Sequence, residues 1–212
     1  MQSDPFATLI NQILQGLTQQ LNGEIGPAIR SAGYDPYNNV ASGSASIGIG
    51  SASYSVNDLT GVSSLQITDL VATNITASGT NISGQVNFQA VLNSPLSANL
   101  GGSVEVWPID IGVSGNIRIT GCSISGSAQL NASISNNQLC LNSISNLSAS
   151  FNYNDASIWI NDLGVLNYLL SPLESLILDA AKGAIRNLIS SQIDSIVAQQ
   201  IGQRLPQCAS LG

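Results

Sequence analysis

The sequence predicts an α+β fold: a long curved antiparallel β-sheet (a super-roll) wrapped around a long C-terminal helix, with an N-terminal helix beside it. Three observations predict it. Residues 5–31 and 171–205 carry apolar side chains at spacings of three and four, which marks helices. Residues 40–161 alternate apolar and polar at period two, which marks strands with one buried face. The C-terminal helical segment is apolar around most of its circumference, so other elements must surround it. The 212 residues are read as one domain, long enough to bury a sizeable core.

The first helix presents Phe6, Leu9, Ile10, Ile13, Leu14, Leu17, Leu21, Ile25 and Ile29 on one face. Asp4 is a cap for its start, Pro5 suits the first helical position, and Gly33 marks the exit. In the sheet region Ile82, Val86, Phe88 and Leu92 share one parity, as do Val104 and Val106, then Ile109, Ile111 and Val113. Pro108 shifts the phase between Val106 and Ile109 and predicts a bulge or kink. Ala128, Leu130, Ala132 and Ile134 continue the alternation, and Asn136-Asn137 is a turn candidate because Asn tolerates left-handed backbone. Ile158 and Ile160 close the zone. Pro172 starts the last helix, with Ser175, Asp179, Lys182, Arg186, Ser190 and Asp194 as a polar stripe. Past Ser190 the apolar positions drift around the axis, which predicts a bend or enclosure on several sides. A helix of about 32 residues spans about 48 Å and a strand of about 14 residues about 46 Å, so long strands match and can wrap it.

Composition excludes several functions. Only 8% of residues are charged, with a net charge of −7 and five Lys or Arg that form no cluster, so nucleic acid and anionic lipid surfaces are not expected partners. No apolar run reaches the ~20 residues of a membrane span, and Met1-Gln2-Ser3-Asp4-Pro5 is not the start of a signal peptide. The chain has no histidine, which removes Ser-His and Cys-His catalytic pairs and His-based metal sites. Three cysteines, Cys122, Cys140 and Cys208, are too scattered for a zinc site. No catalytic residue, metal or cofactor is expected, and the chain is read as a non-enzyme. Asn-x-Ser/Thr sequons fall at Asn74, Asn81, Asn131 and Asn146, each followed by an apolar residue, so that the Asn side chains face water if their neighbours face inward. With the cysteines they favour a secreted, extracellular glycoprotein.

Residues 124–201, "ISGSAQLNASISNNQLCLNSISNLSASFNYNDASIWINDLGVLNYLLSPLESLILDAAKGAIRNLISSQIDSIVAQQI", and residues 5–25, "PFATLINQILQGLTQQLNGEI", resemble the strand–turn–strand, long C-terminal helix and N-terminal helix of single-domain members of the tubular lipid-binding superfamily. The superfamily includes bactericidal/permeability-increasing proteins, and the nearest likeness is to mite group 7 allergens. Those allergens are far more charged and lack this cysteine set. The resemblance implies an extracellular carrier of an apolar small molecule such as a lipid, isoprenoid or pigment. On this reading an elongated tunnel is lined by Leu17, Val86, Phe88, Leu92, Ile111, Phe151, Trp159, Ile177, Ala181 and Ile185, and burial of ligand gains about 25 cal/mol per Å2 of apolar surface. Larger members tie a strand to the long helix by a disulfide, but no cysteine lies in the body of this helix. A Cys122–Cys140 bond is expected, with Cys208 free or linking two chains. The alternative function is a surface-active or structural secretion, a foam, film or adhesive component, suggested by the nearly uncharged Ser- and Asn-rich exterior.

Overall fold

The computed structural model describes residues 5–211, so Asp4, the expected cap, lies outside the described residues. Helix α1 (Pro5–Ser31) leads into strands β1 (Ala41–Ile47), β2 (Gly50–Thr60), β3 (Leu65–Ser78), β4 (Asn81–Leu92), β5 (Leu96–Val106), β6 (Ile109–Thr120), β7 (Ser123–Ser135), β8 (Gln138–Asn152) and β9 (Asp155–Ile160). A 3-10 segment (Gly164–Leu169) then enters α2 (Leu170–Leu188), a π turn (Ile189–Ile193), α3 (Asp194–Arg204) and a short β10 (Gln207–Ser210). None of the described helices is long and apolar enough to cross a membrane.

The strands form two antiparallel ladders, β1-β2-β5-β6-β9 and β10-β8-β7-β4-β3. Chain order shows what joins them. β2 continues into β3, β4 into β5, β6 into β7 and β8 into β9, each crossing from one ladder to the other. Each such pair is therefore one long strand folded at its middle, and four of them form a curled sheet with a corner. Backbone hydrogen bonds persist through that corner: Asn93 N–H to Ser64 O, Leu92 N–H to Cys122 O and Asn154 N–H to Thr120 O, at 3.0–3.2 Å. Two of the bends need glycine. Gly61 (φ 98°) and Gly121 (φ 63°) adopt backbone that L-residues avoid, and a Cβ would strike Pro95 O at the first and the Asn154 side chain at the second.

Two-residue turns close the hairpins. Asn136 (φ 51°) and Asn137 (φ 61°) both have positive φ, the form a tight hairpin turn requires, as expected from sequence. Trp107-Pro108 is also such a turn, since Val106 pairs directly with Ile109. The phase shift at Pro108 is thus the end of one strand and the start of the next, rather than a bulge within a strand.

The inner face of the curl carries the core. Val86, Phe88, Leu100, Val104, Ile117, Ile119, Leu130 and Leu141 are all buried, and α1 adds Ile10, Leu14, Leu17, Leu21, Ile25 and Ile29. The long helix buries Leu173, Ile177, Ala181 and Ile185, then Ile189, Ile193, Val197 and Ile201. Steps of four outrun the 3.6-residue turn, so this stripe rotates steadily about the axis. The wider i→i+5 turn at Ile189–Ile193 slows that rotation and keeps Ile185, Ile189 and Ile193 against the sheet. The drift expected past Ser190 is realised as this π turn.

Side chains of α1 cover the open edge of β3. The Asn22 amide donates to Ile67 O at 2.9 Å and accepts from Ile67 N–H at 2.7 Å, as a neighbouring strand would. Asn11 Oδ1 accepts from Ala72 N–H at 2.8 Å. Replacing Asn22 with Ala should cost about 1 kcal/mol, since water reaches the edge and partly replaces both bonds. Faster hydrogen exchange at Ile67 alone is the signature to measure. An unchanged Ile67 amide would show that the side chain does not serve as an edge partner.

Candidate functional site

The region between the inner sheet face and the long helix is built by alternation on one side and the four-residue stripe on the other. Most of the residues expected to line a tunnel point here. Leu17 and Ile177 are fully buried, and Val86, Phe88, Leu92, Phe151, Ala181 and Ile185 are buried with them in one apolar cluster. Ile111 is only half-buried. Trp159 is displaced from the set. It is 59% exposed, because Ile158 and Ile160 take the inward parity and strand alternation turns the residue between them outward.

The buried members of the set pack against one another. A crevice opens instead beneath the π turn, between the helix and the β3-β4-β7 part of the sheet. It is lined by Leu65 and Ile67 of β3, Phe88 and Ala90 of β4, Ile124 of β7, and Ile193, Asp194 and Val197 of the helix. It is narrow, with room for about one water. Of the expected lining residues only Phe88 is among these. Leu65, Ile67 and Ala90 occupy buried, inward strand positions. Asp194 was not legible as a wall residue, because an unbroken α-helix assigns it to the polar stripe, and the π turn brings it round to the crevice.

Asp194 is the one ionisable residue in this wall. Desolvation pushes its carboxyl up to about 6, opposed by a hydrogen bond from the Ala149 backbone. Cys122 is a second buried group. Burial pushes its thiol up, and its Sγ lies 3.7 Å from Ile119 O, so it behaves as a packed apolar side chain rather than a nucleophile.

The disulfide joins Cys140 to Cys208, and Cys122 is the free thiol. This corrects the expected Cys122–Cys140 pair. Cys122 lies at the corner before β7, whereas the residue opposite Cys140 on β7 is Ser133. On its other side Cys140 faces Cys208 of β10 directly, with Cα atoms 4.0 Å apart. The short strand after α3 supplies this partner, and sequence periodicity could not register four residues across 68. Cys208 is thereby consumed within the chain and is not available to link two chains.

All four sequon asparagines are exposed on the outer face of the β3-β4-β7-β8 half. Asn74 donates to Gln85 at 3.1 Å, Asn146 donates to Gln129 at 2.8 Å, and Gln85 pairs with Gln129 across β4 and β7. Exposed amides thus line up across four strands, ending at each side in an Asn with positive φ (53° and 54°).

No protein-family model and no curated protein matches the sequence. Among solved structures the chain is similar to Takeout 1 of Epiphyas postvittana. The identity is 10% over 91% of this chain and 92% of that one, with a TM-score of 0.45. It is also similar to lipopolysaccharide binding protein, at 16% identity over 86% of this chain with a TM-score of 0.37. It spans 40% of that longer chain. At these identities no residue role passes from either protein to this one.

Proposed function

We propose that the protein is a secreted, non-enzymatic carrier that holds an apolar small molecule between the inner face of its curled sheet and its long helix. The observation that supports this best is the crevice beneath the π turn, an apolar wall from three strands facing a helix whose regular packing is interrupted there. On this reading binding widens the crevice beyond Phe88, which already lines it. Secretion is supported by the Cys140–Cys208 bond, since such bonds persist in oxidising compartments. The exposed Asn74, Asn81, Asn131 and Asn146 are the proposed glycan sites. The test is organic extraction of the natively purified protein with identification of extracted molecules, paired with uptake of a fluorescent neutral lipid. A stoichiometric apolar compound is the expected result. A folded protein that yields none and takes up no probe would overturn the reading.

One observation favours a second reading, a surface-active secretion. Among the described residues, the four most exposed large apolar side chains lie toward one end of the β1-β2-β5-β6-β9 half: Ile49 (79%), Trp107 (84%), Val165 (74%) and Tyr168 (60%). Ile49 and Trp107 are in adjacent turns, because Ser51 pairs with Glu105. Val165 and Tyr168 follow β9, which runs toward the same end beside β6 and is held there by Asn161 against Gly112 and Ser114. Aromatic and aliphatic tips grouped in this way suit an apolar boundary. On this reading the double variant I49S/W107S should need about tenfold more protein to reach the same fall in surface tension, with its circular dichroism unchanged. Equal activity of variant and parent would remove the tip from consideration.

A further inference from the structure

We propose that the crevice beneath the π turn binds a cationic amphiphile, an alkyl chain bearing a protonated amine, with Asp194 as the counter-ion. The inference rests on the carrier reading and adds the chemical class of the ligand. Leu65, Ile67, Phe88, Ala90, Ile124 and Val197 give the wall for the chain, and the carboxylate gives it one polar end.

Among the described residues, the surroundings of Asp194 carry no compensating cation. β4, β7 and β8 contain no acid or base other than Cys140, which is in the disulfide. β3 carries Asp69, which is exposed. On α1, Arg30 donates to Ser63, and Glu24 pairs with Arg204 of α3. Tyr34, beyond the end of α1, donates to Gln192 at 2.7 Å. Lys182 pairs with Asp179 on α2 at 3.7 Å, and Arg186 is exposed there. A carboxylate held in an apolar wall without a cation is costly, and a ligand that brings the cation recovers that cost. A fatty acid brings a second negative charge and is disfavoured at neutral pH. A long-chain alcohol brings a donor but no charge.

The pH dependence follows from the raised carboxyl, which is ionised above about 6 and neutral below it. Amine binding should therefore weaken as pH falls through about 6, while fatty-acid binding strengthens. The test uses dodecylamine, dodecanol and lauric acid, each below its micellar concentration, displacing a neutral fluorescent lipid. At pH 7.5 dodecylamine should bind at least tenfold more tightly than dodecanol, and lauric acid more weakly than dodecanol. In D194N the amine should bind no more tightly than dodecanol. Equal binding of amine and alcohol at pH 7.5, or an amine preference that survives in D194N, would overturn the assignment while leaving a carrier. Failure of the neutral probe and of dodecanol to bind the folded parent would overturn the carrier reading and this one together.

Discussion

Removing the Cys140–Cys208 bond should lower stability by about 4 kcal/mol, the chain-entropy cost of freeing a loop of this length. The bond spans 68 residues and pins β10 to β8, where Gln207 pairs with Leu141 and Ser210 with Gln138. Because β10 begins three residues after α3 ends, the same bond anchors the C-terminal end of the long helix. The variant to compare is C140A/C208A, which leaves Cys122 as the only thiol. Its urea midpoint should fall, and the amides of Leu139 and Leu141 should exchange much faster than those of β4. If α3 then moves more freely over the crevice, uptake of the neutral lipid probe should accelerate in the same variant. A midpoint unchanged within error would mean that the backbone pairing of β10 with β8 holds without the bond and that the bond adds nothing to stability.

Ile177→Ala should cost about 2–5 kcal/mol, the usual range for truncating a fully buried aliphatic side chain. Ile177 sits in the middle of α2, is 0% exposed and belongs to the set expected to face a ligand. The size of the effect reports on the interior itself. A close-packed core charges both for lost burial and for the cavity left behind. A loss below about 1 kcal/mol would mean that the helix already faces slack space, as an elongated tunnel requires. A large loss would confine ligand binding to the crevice beneath the π turn, with the rest of the helix serving as core.

The extent of the helices and the sheet was legible because each element presents its period over many residues. The spacing of Phe6 to Ile29 gave α1 its limits, Pro5–Ser31. Alternation from Ile82 to Leu92 gave the inner face of β4. What escaped depends on single residues or on distant partners. Trp159 was placed in the lining set although Ile158 and Ile160 hold the inward parity, and alternation turns it outward. Asp194 was assigned by an α-helical wheel that one wider turn invalidates. Cys208 finds Cys140 through a four-residue strand, too short to carry a periodic signal. The corner was hidden because Gly61, Asn93, Gly121 and Asn154 look like ordinary turn residues one at a time. Only their alignment across four strands shows a common fold line.

That fold line bears on the order in which the molecule is made. Each bent strand pairs with the next in sequence, so all of the curled sheet except β10 is in place once Ile160 has been added. Its inner face then has only α1 to shield it. The helix that covers the rest comes last in the chain, and its closing contacts are remote: Arg204 meets Glu24 across 180 residues and Tyr34 meets Gln192 across 158. Non-local closure of this kind is slow, and an uncovered apolar concavity invites association while it waits. During synthesis the protein thus passes through an interval with an open trough, and a holdase or an early-bound apolar molecule that fills the trough would raise its yield.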